Sequence, residues 1–420
     1  MLPIKYYGVT VLGGGPAGLA AALSAHRAGA SVLLAEREAR LGGILKQCIH
    51  DGFGLVRFGR KLSGPEYAQH FIDEVEQSDI TVSLLSFATE VHWEADGFHL
   101  TLVTRKGIQP ILTRALVLAT GCRERTARQV AIHGTRPAGV LTAGAAQYYT
   151  NILGQLPTRR CVVLGSGDIG LIMARRLTLE GAEVLGVYEA KATPSGLSRN
   201  ISQCLTDFNI PLYTGHTVTR VFGAERLTGV EIMEVDAKMQ PISGTEQQIA
   251  CDGLILSVGL IPENELAETL GAPLDRKAKG PTADQNAMTL ADGVFVCGNA
   301  LHVNDLVDYV TESGETAGAA AAAYRGQART LLPVECDGNI LYEVPERIDL
   351  AHLAEKTVFF FRSREERGRT RLSVTADGRE IYTKSYRALR PPEMERIELS
   401  LQGCGLTAES RILLSLTEVV

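Results

Sequence analysis

The run Gly13-Gly14-Gly15-Pro16-Ala17-Gly18 stands between a short β-branched apolar segment, residues 9–12, and an Ala-rich stretch over residues 19–29 that ends at Gly29. This placement constrains the chain more than any other feature. A strand that runs into Gly-x-Gly-x-x-Gly and then into a helix is the opening of a βαβ unit. The first glycine makes the tight turn, the second lets backbone approach a pyrophosphate, and the third lets helix and strand pack closely. The start of that helix presents N–H groups and the positive end of its dipole to phosphate. A second predicted strand, residues 31–35, ends on Glu36, an acid suited to ribose hydroxyls.

The same arrangement recurs. A predicted strand over residues 160–164 runs into Gly165-Ser166-Gly167-Asp168-Ile169-Gly170, a helix over 171–180 stops at Gly181, and a strand over 183–188 ends on Glu189. Nearly the same number of residues separates Gly165 from Glu189 as Gly13 from Glu36. One Gly-rich turn is weak evidence, but two complete units predict two dinucleotides on one chain. Three further apolar segments end at glycine: Ala115 through Ala119-Thr120-Gly121, Leu254-Ile255-Leu256-Ser257-Val258-Gly259, and Gly293-Val294-Phe295-Val296-Cys297-Gly298-Asn299. They predict additional strands of the two sheets.

Composition narrows the classes. Hydrophobic residues form 45% of the 420, enough to bury several cores. A net charge of −6 offers nothing general to phosphate polymers or anionic lipid, so no nucleic-acid role is expected. No apolar run is long enough to span a bilayer, and no leader-like segment opens the sequence. The eight cysteines, at 48, 122, 161, 204, 251, 297, 336 and 404, form no close pair and no zinc-type cluster with histidine. They predict mostly buried thiols in a reducing cytoplasm, and no metal site is expected.

Taken together, GGGPAG with Glu36, the Ala119-Thr120-Gly121 strand end, GSGDIG with Glu189, the segment around Gly259, and GVFVCGN resemble the flavoproteins with two dinucleotide-binding domains. The resemblance implies an α/β fold of two Rossmann-like domains, FAD in the first and NAD(P) in the second. It also implies a discontinuous order: residues 1–124 and 263–330 for FAD, 125–262 for NAD(P), with 139–157 as the connector. Residues 331–420 show short alternating strands and an Asp377-Gly378 turn signal, which predict a small C-terminal β-sandwich-like domain. The arginines at 362, 364, 367 and 369 alternate with Glu365 and Glu366 and predict a solvated loop.

By the same resemblance, FAD is held by Gly13, Gly15, Pro16, Ala17, Gly18, Glu36, Arg37, Gly42, Gly43, Gln47, Ala119, Thr120, Gly121, Gly298 and Asn299. Asn299 is a departure, since the family usually has an acid there. The helix start at Asp308, Tyr309 and Val310 is implied to face the flavin through backbone N–H groups. The dinucleotide of the second domain is implied at Gly165, Gly167, Asp168, Ile169, Gly170, Glu189 and Gly259, with NAD favoured over NADP because Glu189 would repel a 2′-phosphate.

Three longer strings carry a narrower resemblance: Gly42 through Gly54, Gly121-Cys122-Arg123-Glu124-Arg125, and Leu301 through Tyr309. They are similar to the bacterial oxidoreductases that accompany anaerobic-type glycerol-3-phosphate dehydrogenases, and to the flavin subunits of opine oxidase, hydrogen cyanide synthase and sarcosine oxidase. This implies hydride transfer between NAD(H) and FAD in a multi-component dehydrogenase, with a second flavoprotein as the partner subunit. A homo-oligomer is compatible with it. Cys48 and His50 are the candidate catalytic side chains of the alternative, a self-contained NADH oxidase, peroxidase or CoA-disulfide-type reductase. A third reading is an FAD-binding scaffold subunit without NAD turnover.

Overall fold

The computed structural model describes residues 3–419. They form two compact units, residues 3–122 with 262–419, and residues 123–261.

The first unit is built on a parallel sheet. Strands Thr81–Ser83, Val32–Ala35, Lys5–Leu12 and Gly107–Leu118 lie side by side, Val294–Val296 pairs with Gly107–Leu118, and Gly97–Thr104 and Phe87–Glu94 continue the sheet antiparallel. A parallel strand covered on both faces needs an unbroken apolar run. Residues 8–12 come close to one, with Val9, Val11 and Leu12 about the single polar Thr10, and all five are buried. On one face lie helix Pro16–Arg27, which starts with proline at its first position, and helix Val307–Ala323. The expected helix over 19–29 therefore begins three residues earlier, where the Pro ring fits the first turn without losing a needed N–H.

These two helices pack at backbone distance. A Cβ on Gly314 would stand 2.2 Å from the Ala17 carbonyl oxygen, and one on Gly318 2.1 Å from that of Ala21. The opposite face of the sheet is covered by Ala267, Ala272 and Leu301, together with Tyr342 and Val344 from the C-terminal segment.

That segment forms two sheets. Arg347–Asp349, Leu331–Cys336, Ile412–Glu418, Thr370–Ala376 and Arg379–Tyr386 make one; Ile340–Val344, Thr357–Ser363 and Met394–Leu399 make the other. Phe359, Phe361, Leu372, Val374, Ile397 and Leu414 fill the core of this segment. Asp377 and Gly378 turn the hairpin with positive φ at both positions, 50° and 79°, as a two-residue turn of the Asp-Gly type requires. The expectation of a solvated loop at the arginines is corrected at Arg362. It lies in strand Thr357–Ser363, its side chain is only 12% exposed, and it is ion-paired with Asp305. The strand runs two residues beyond the phenylalanines, and the carboxylate supplies the partner that burial of a guanidinium requires.

In the second unit, Val140–Thr142, Gly253–Leu256, Arg160–Leu164, Glu183–Glu189 and Leu212–Thr214 form a parallel sheet. An antiparallel sheet of His216–Gly223, Leu227–Glu234 and Gln247–Ile249 accompanies it. The expected connector over 139–157 is instead part of this unit. Val140–Thr142 is a strand, and Thr142 then caps helix Ala143–Asn151 by accepting the Ala145 N–H at 3.3 Å.

The close helix pair yields a stability prediction. Glycine to alanine normally favours a helix, but at Gly314 the added methyl meets backbone. Gly314→Ala should cost about 1–3 kcal/mol in chemical denaturation, the range for overpacking; an unchanged or raised midpoint would contradict the packing described.

Candidate dinucleotide sites in the two units

In the first unit the glycines of the turn divide their work. Gly13 has φ +109°, and a Cβ there would lie 2.3 Å from the Ala119 carbonyl oxygen. A Cβ on Gly18 would lie 1.8 Å from the Gly13 carbonyl oxygen. These two positions lock helix Pro16–Arg27 onto the sheet. Gly15 is different: its Cβ would meet only the Gly43 Cα, at 3.7 Å. The ground above Gly15 is therefore open to a ligand, bordered by a second glycine backbone. Gly15 is the extended N-cap of the helix, and no side chain caps the helix there. Its first-turn N–H groups are the natural partners of an anion.

Glu36 closes the site from the next strand. It is buried; its Oε2 accepts the Gly14 N–H at 2.6 Å and its Oε1 accepts the Glu38 N–H at 2.8 Å. Each carboxylate oxygen keeps a further lone pair for a hydroxyl. Arg37 is exposed and pairs with Glu263 at 3.6 Å. Thr120 Oγ1 donates to the Glu263 carbonyl at 2.6 Å, and the Glu263 N–H donates to the Gly121 carbonyl at 2.9 Å. Gly42 and Gly43 take φ of +103° and +53° at the start of the 3-10 turn Gly43–Gln47, whose last residue, Gln47, is buried. Gly298 has φ +61°, and a Cβ there would sit 2.7 Å from Ala17 Cβ. Residues 15–18, 43, 119–121 and 298 thus converge on one helix end. The open glycine floor, the amides and the paired carboxylate fit the pyrophosphate and ribose of a dinucleotide such as FAD.

Two of the expected positions are used differently from a simple ligand contact. Asn299 Oδ1 accepts the Asn304 N–H at 3.0 Å, and its Nδ2 donates to Cys122 Sγ at 3.5 Å, so the side chain shapes the 299–304 loop. At the start of helix Val307–Ala323, the Tyr309 and Val310 N–H groups both donate to the Leu306 carbonyl. The helix's own carbonyls leave the Asp308 N–H to an outside acceptor, because the second helical position has no intrahelical one. The Asp308 carboxylate accepts the Arg57 N–H at 3.2 Å.

The second unit repeats the design. Gly165 has φ +97° and would place a Cβ 2.0 Å from the Ser257 carbonyl oxygen; Gly170 would meet the Gly165 carbonyl oxygen at 2.6 Å. Gly167 is the extended N-cap of helix Asp168–Leu179, again without a side-chain cap. Glu189 is buried; its Oε2 accepts the Ser166 N–H at 3.0 Å, the Ser166 hydroxyl at 2.6 Å and the Ser195 hydroxyl at 3.2 Å, and its Oε1 accepts the Lys191 N–H at 3.0 Å. Both glutamates thus bind the amide that follows the first glycine and the amide two residues past themselves. Asp168 Oδ1 accepts from Leu197 N–H and Asn200 Nδ2, pinning the 197–200 loop across the helix start, while Ile169 is half-buried beside it. Gly259, at φ +105°, accepts the Arg125 N–H on its carbonyl at 3.0 Å.

Cys48 and His50 follow the 3-10 turn. Cys48 is buried, its thiol 3.4 Å from the Ile44 carbonyl oxygen, and burial pushes the thiol up to about 12. His50 Nδ1 lies 3.2 Å from the Asp51 carbonyl oxygen, Nε2 is buried without a hydrogen-bond partner, and the ring leans on Phe53. The sequence reading assigned no role to His302. The structure buries it completely against Tyr342 and Phe360, with neither ring nitrogen partnered, and burial holds it neutral with a pKa lowered to about 3. Nor did that reading find the clamp that the C-terminal strands place on this loop. Arg362 binds Asp305 and the Val303 carbonyl, and Arg396 binds Glu312. Only strand pairing brings these arginines to residues so distant in sequence.

The thiol yields a pH prediction. A thiol raised to about 12 holds almost no thiolate at pH 8, and the thiolate is the nucleophile. In the folded protein, iodoacetamide at pH 8 should label the half-buried Cys404 well before Cys48. Rapid labelling of Cys48 in a peptide map at that pH would contradict the buried geometry.

Comparison with known proteins agrees with this construction. The family described as pyridine nucleotide-disulphide oxidoreductase matches residues 7–324. An opine oxidase subunit of Agrobacterium tumefaciens (strain Ach5) is 24% identical over 84% of this chain and 76% of its own length. Hydrogen cyanide synthase subunit HcnB of Pseudomonas protegens is 27% identical over 62% of this chain, a match that spans 58% of HcnB. Among solved structures, thioredoxin reductase of T. acidophilum has the same fold with a TM-score of 0.64 at 21% identity, over 76% of this chain and 98% of that one. With two Gly-rich βαβ units and a family match over most of its length, the chain belongs to the pyridine nucleotide-disulphide oxidoreductase family and is an FAD- and NAD(P)H-dependent oxidoreductase by that membership.

Proposed function

We propose that the chain binds FAD in its first unit and NADH, in preference to NADPH, in its second, and works as one subunit of a multi-component flavin dehydrogenase. The observation that carries this reading is the repeated carboxylate geometry: Glu36 and Glu189 hold equivalent backbone amides beside equivalent uncapped helix starts. FAD, when bound, supplies an acceptor for the hydride of a reduced nicotinamide. The chain's own task is to bind and orient. The first-turn amides at Gly15 and Gly167 take the phosphates, and each glutamate takes ribose hydroxyls. The buried negative charge of Glu189 disfavours a 2′-phosphate. The Asp308 N–H offers a donor at a helix start, where the dipole favours negative charge.

Two observations support the subunit reading over a self-contained oxidase or disulfide reductase. Cys48 is a buried thiol whose pKa lies far above neutrality, which opposes a thiolate mechanism. The opine oxidase and hydrogen cyanide synthase relatives both carry the word subunit in their names. The narrower reading, a partner that oxidises glycerol 3-phosphate or a similar small metabolite, rests on the strings at 42–54, 121–125 and 301–309. Co-expression with a glycerol-3-phosphate dehydrogenase flavoprotein of the same host tests it: a stable complex with metabolite-dependent NAD or dye turnover supports the reading, and a chain that never associates overturns it.

The nucleotide preference has its own test. Glu189→Gln keeps the size and removes the charge. Hydrogen bonds to a charged group are worth about 1.5–3 kcal/mol, so kcat/KM for NADH in a dye-reduction assay should fall by roughly tenfold or more, with a smaller change for NADPH. An equal fall for both nucleotides, or none, would contradict the role given to Glu189.

A further inference from the structure

Far from the Gly-rich turns in sequence, the hairpin of strands Phe87–Glu94 and Gly97–Thr104 gathers side chains that the cofactor reading does not use. Strand pairing sets His92 directly opposite His99. Glu94 follows His92 by two residues and therefore shares its face. The other face is fixed by the neighbouring pair: Trp93 stands edge-on to the buried Phe98, with ring centroids 4.8 Å apart. The two imidazoles lie nearly parallel, 5.5 Å between centroids and 13° between planes.

The ligand atoms of this group face one another. His92 Nε2 is 3.0 Å from Glu94 Oε1, and His99 Nε2 is 3.7 Å from Glu94 Oε2 and 2.8 Å from Asp96 Oδ1. One ligand atom from each of His92, Glu94 and His99 lies within 4.8 Å of the others. Around a tetrahedral zinc ion with bonds of about 2.0–2.1 Å, ligand atoms are about 3.3 Å apart. The two histidine–Glu94 separations, 3.0 and 3.7 Å to its two oxygens, bracket that value, and side-chain rotation would bring the group onto one ion. Two neutral imidazoles and a carboxylate, with the Asp96 carboxylate adjacent, also match the charge and softness that zinc-class ions take, and not the all-oxygen shells of magnesium or calcium.

We propose that this hairpin end is a binding site for a divalent transition-metal ion of the zinc class, with His92 Nε2, His99 Nε2 and a Glu94 oxygen as ligands. Asp96 adds a second negative charge beside the ion, and water completes the coordination. The ion would tie strand Phe87–Glu94, the last strand of its sheet, to its neighbour at the turn end of the hairpin. The expectation of no metal came from looking for ligands close in sequence. Here the hairpin turn around Asp96 and Gly97 brings His92 and His99 together, and only the strand register reveals it.

The test is calorimetric titration of the chelator-treated, FAD-loaded full chain with zinc chloride and, separately, magnesium chloride. Wild type should take up one more equivalent of zinc, with micromolar affinity, than the His92→Gln/His99→Gln double variant, and magnesium should give no saturable heat. Glu94→Gln should weaken that equivalent by about tenfold. Neither imidazole belongs to the residues assigned to a dinucleotide, so the double variant should keep its circular dichroism spectrum and its NADH–dye activity. Equal zinc stoichiometry and affinity in wild type and double variant would overturn the proposal, as would a wild type that binds no zinc.

Discussion

Helix Pro16–Arg27 can lie where it does only because glycine stands wherever a neighbouring backbone comes within a Cβ's reach. Gly18 faces the Gly13 carbonyl, Gly13 faces the Ala119 carbonyl, and Gly314 and Gly318 face the carbonyls of Ala17 and Ala21. Strand, turn and both helices are thereby held at backbone contact, and the start of the first helix is left pointing at the open ground over Gly15. The site follows from this packing. A methyl group at any of the four glycines would move the helix start, and with it the amides to which we assign the phosphates. The second unit solves the same problem with Gly165 and Gly170 against Ser257 and each other.

A second constraint is electrostatic. Burying a carboxylate is costly unless it is hydrogen-bonded. Glu36 and Glu189 meet that cost with the backbone amides of their own Gly-rich turns. Each carboxylate thereby fixes its turn; Glu36 keeps a lone pair on each oxygen, whereas Glu189 keeps one on Oε1 only, its Oε2 being filled by Ser166 and Ser195. The C-terminal strands add a further tie to the first unit. Arg362 and Arg396 reach Asp305 and Glu312, on either side of the helix start at Val307, and Tyr342 and Val344 complete a core of the nucleotide-binding sheet. The tail is thus packed into the first unit and shares its hydrophobic interior.

How far the sequence could be read follows from how local each signal is. Both βαβ units are contiguous, and their strands, glycines and terminal acids were legible because turn, dipole and packing requirements fall on neighbouring residues. The Asp377-Gly378 hairpin was legible for the same reason. Strand Val140–Thr142 was taken for connector because three residues carry too little periodicity, although Thr142 stands as an N-cap signal. Arg362 looked solvated because its partner, Asp305, is far away along the chain. The resemblance pointed to the helix-start N–H groups of Asp308, Tyr309 and Val310 together; that Leu306 engages two of them is a detail of first-turn geometry that no motif carries. The His92–His99 pair depends on strand register and left no spacing motif to find.

The proposed activity turns on whether NADH reduces the flavin of this chain. The direct measurement is anaerobic mixing of the FAD-loaded protein with one equivalent of NADH while the flavin absorbance near 450 nm is followed. Rapid bleaching with NADH and slower bleaching with NADPH is the expected result. A flavin that stays oxidised with both nucleotides would contradict it, and would leave the chain as an FAD-binding scaffold.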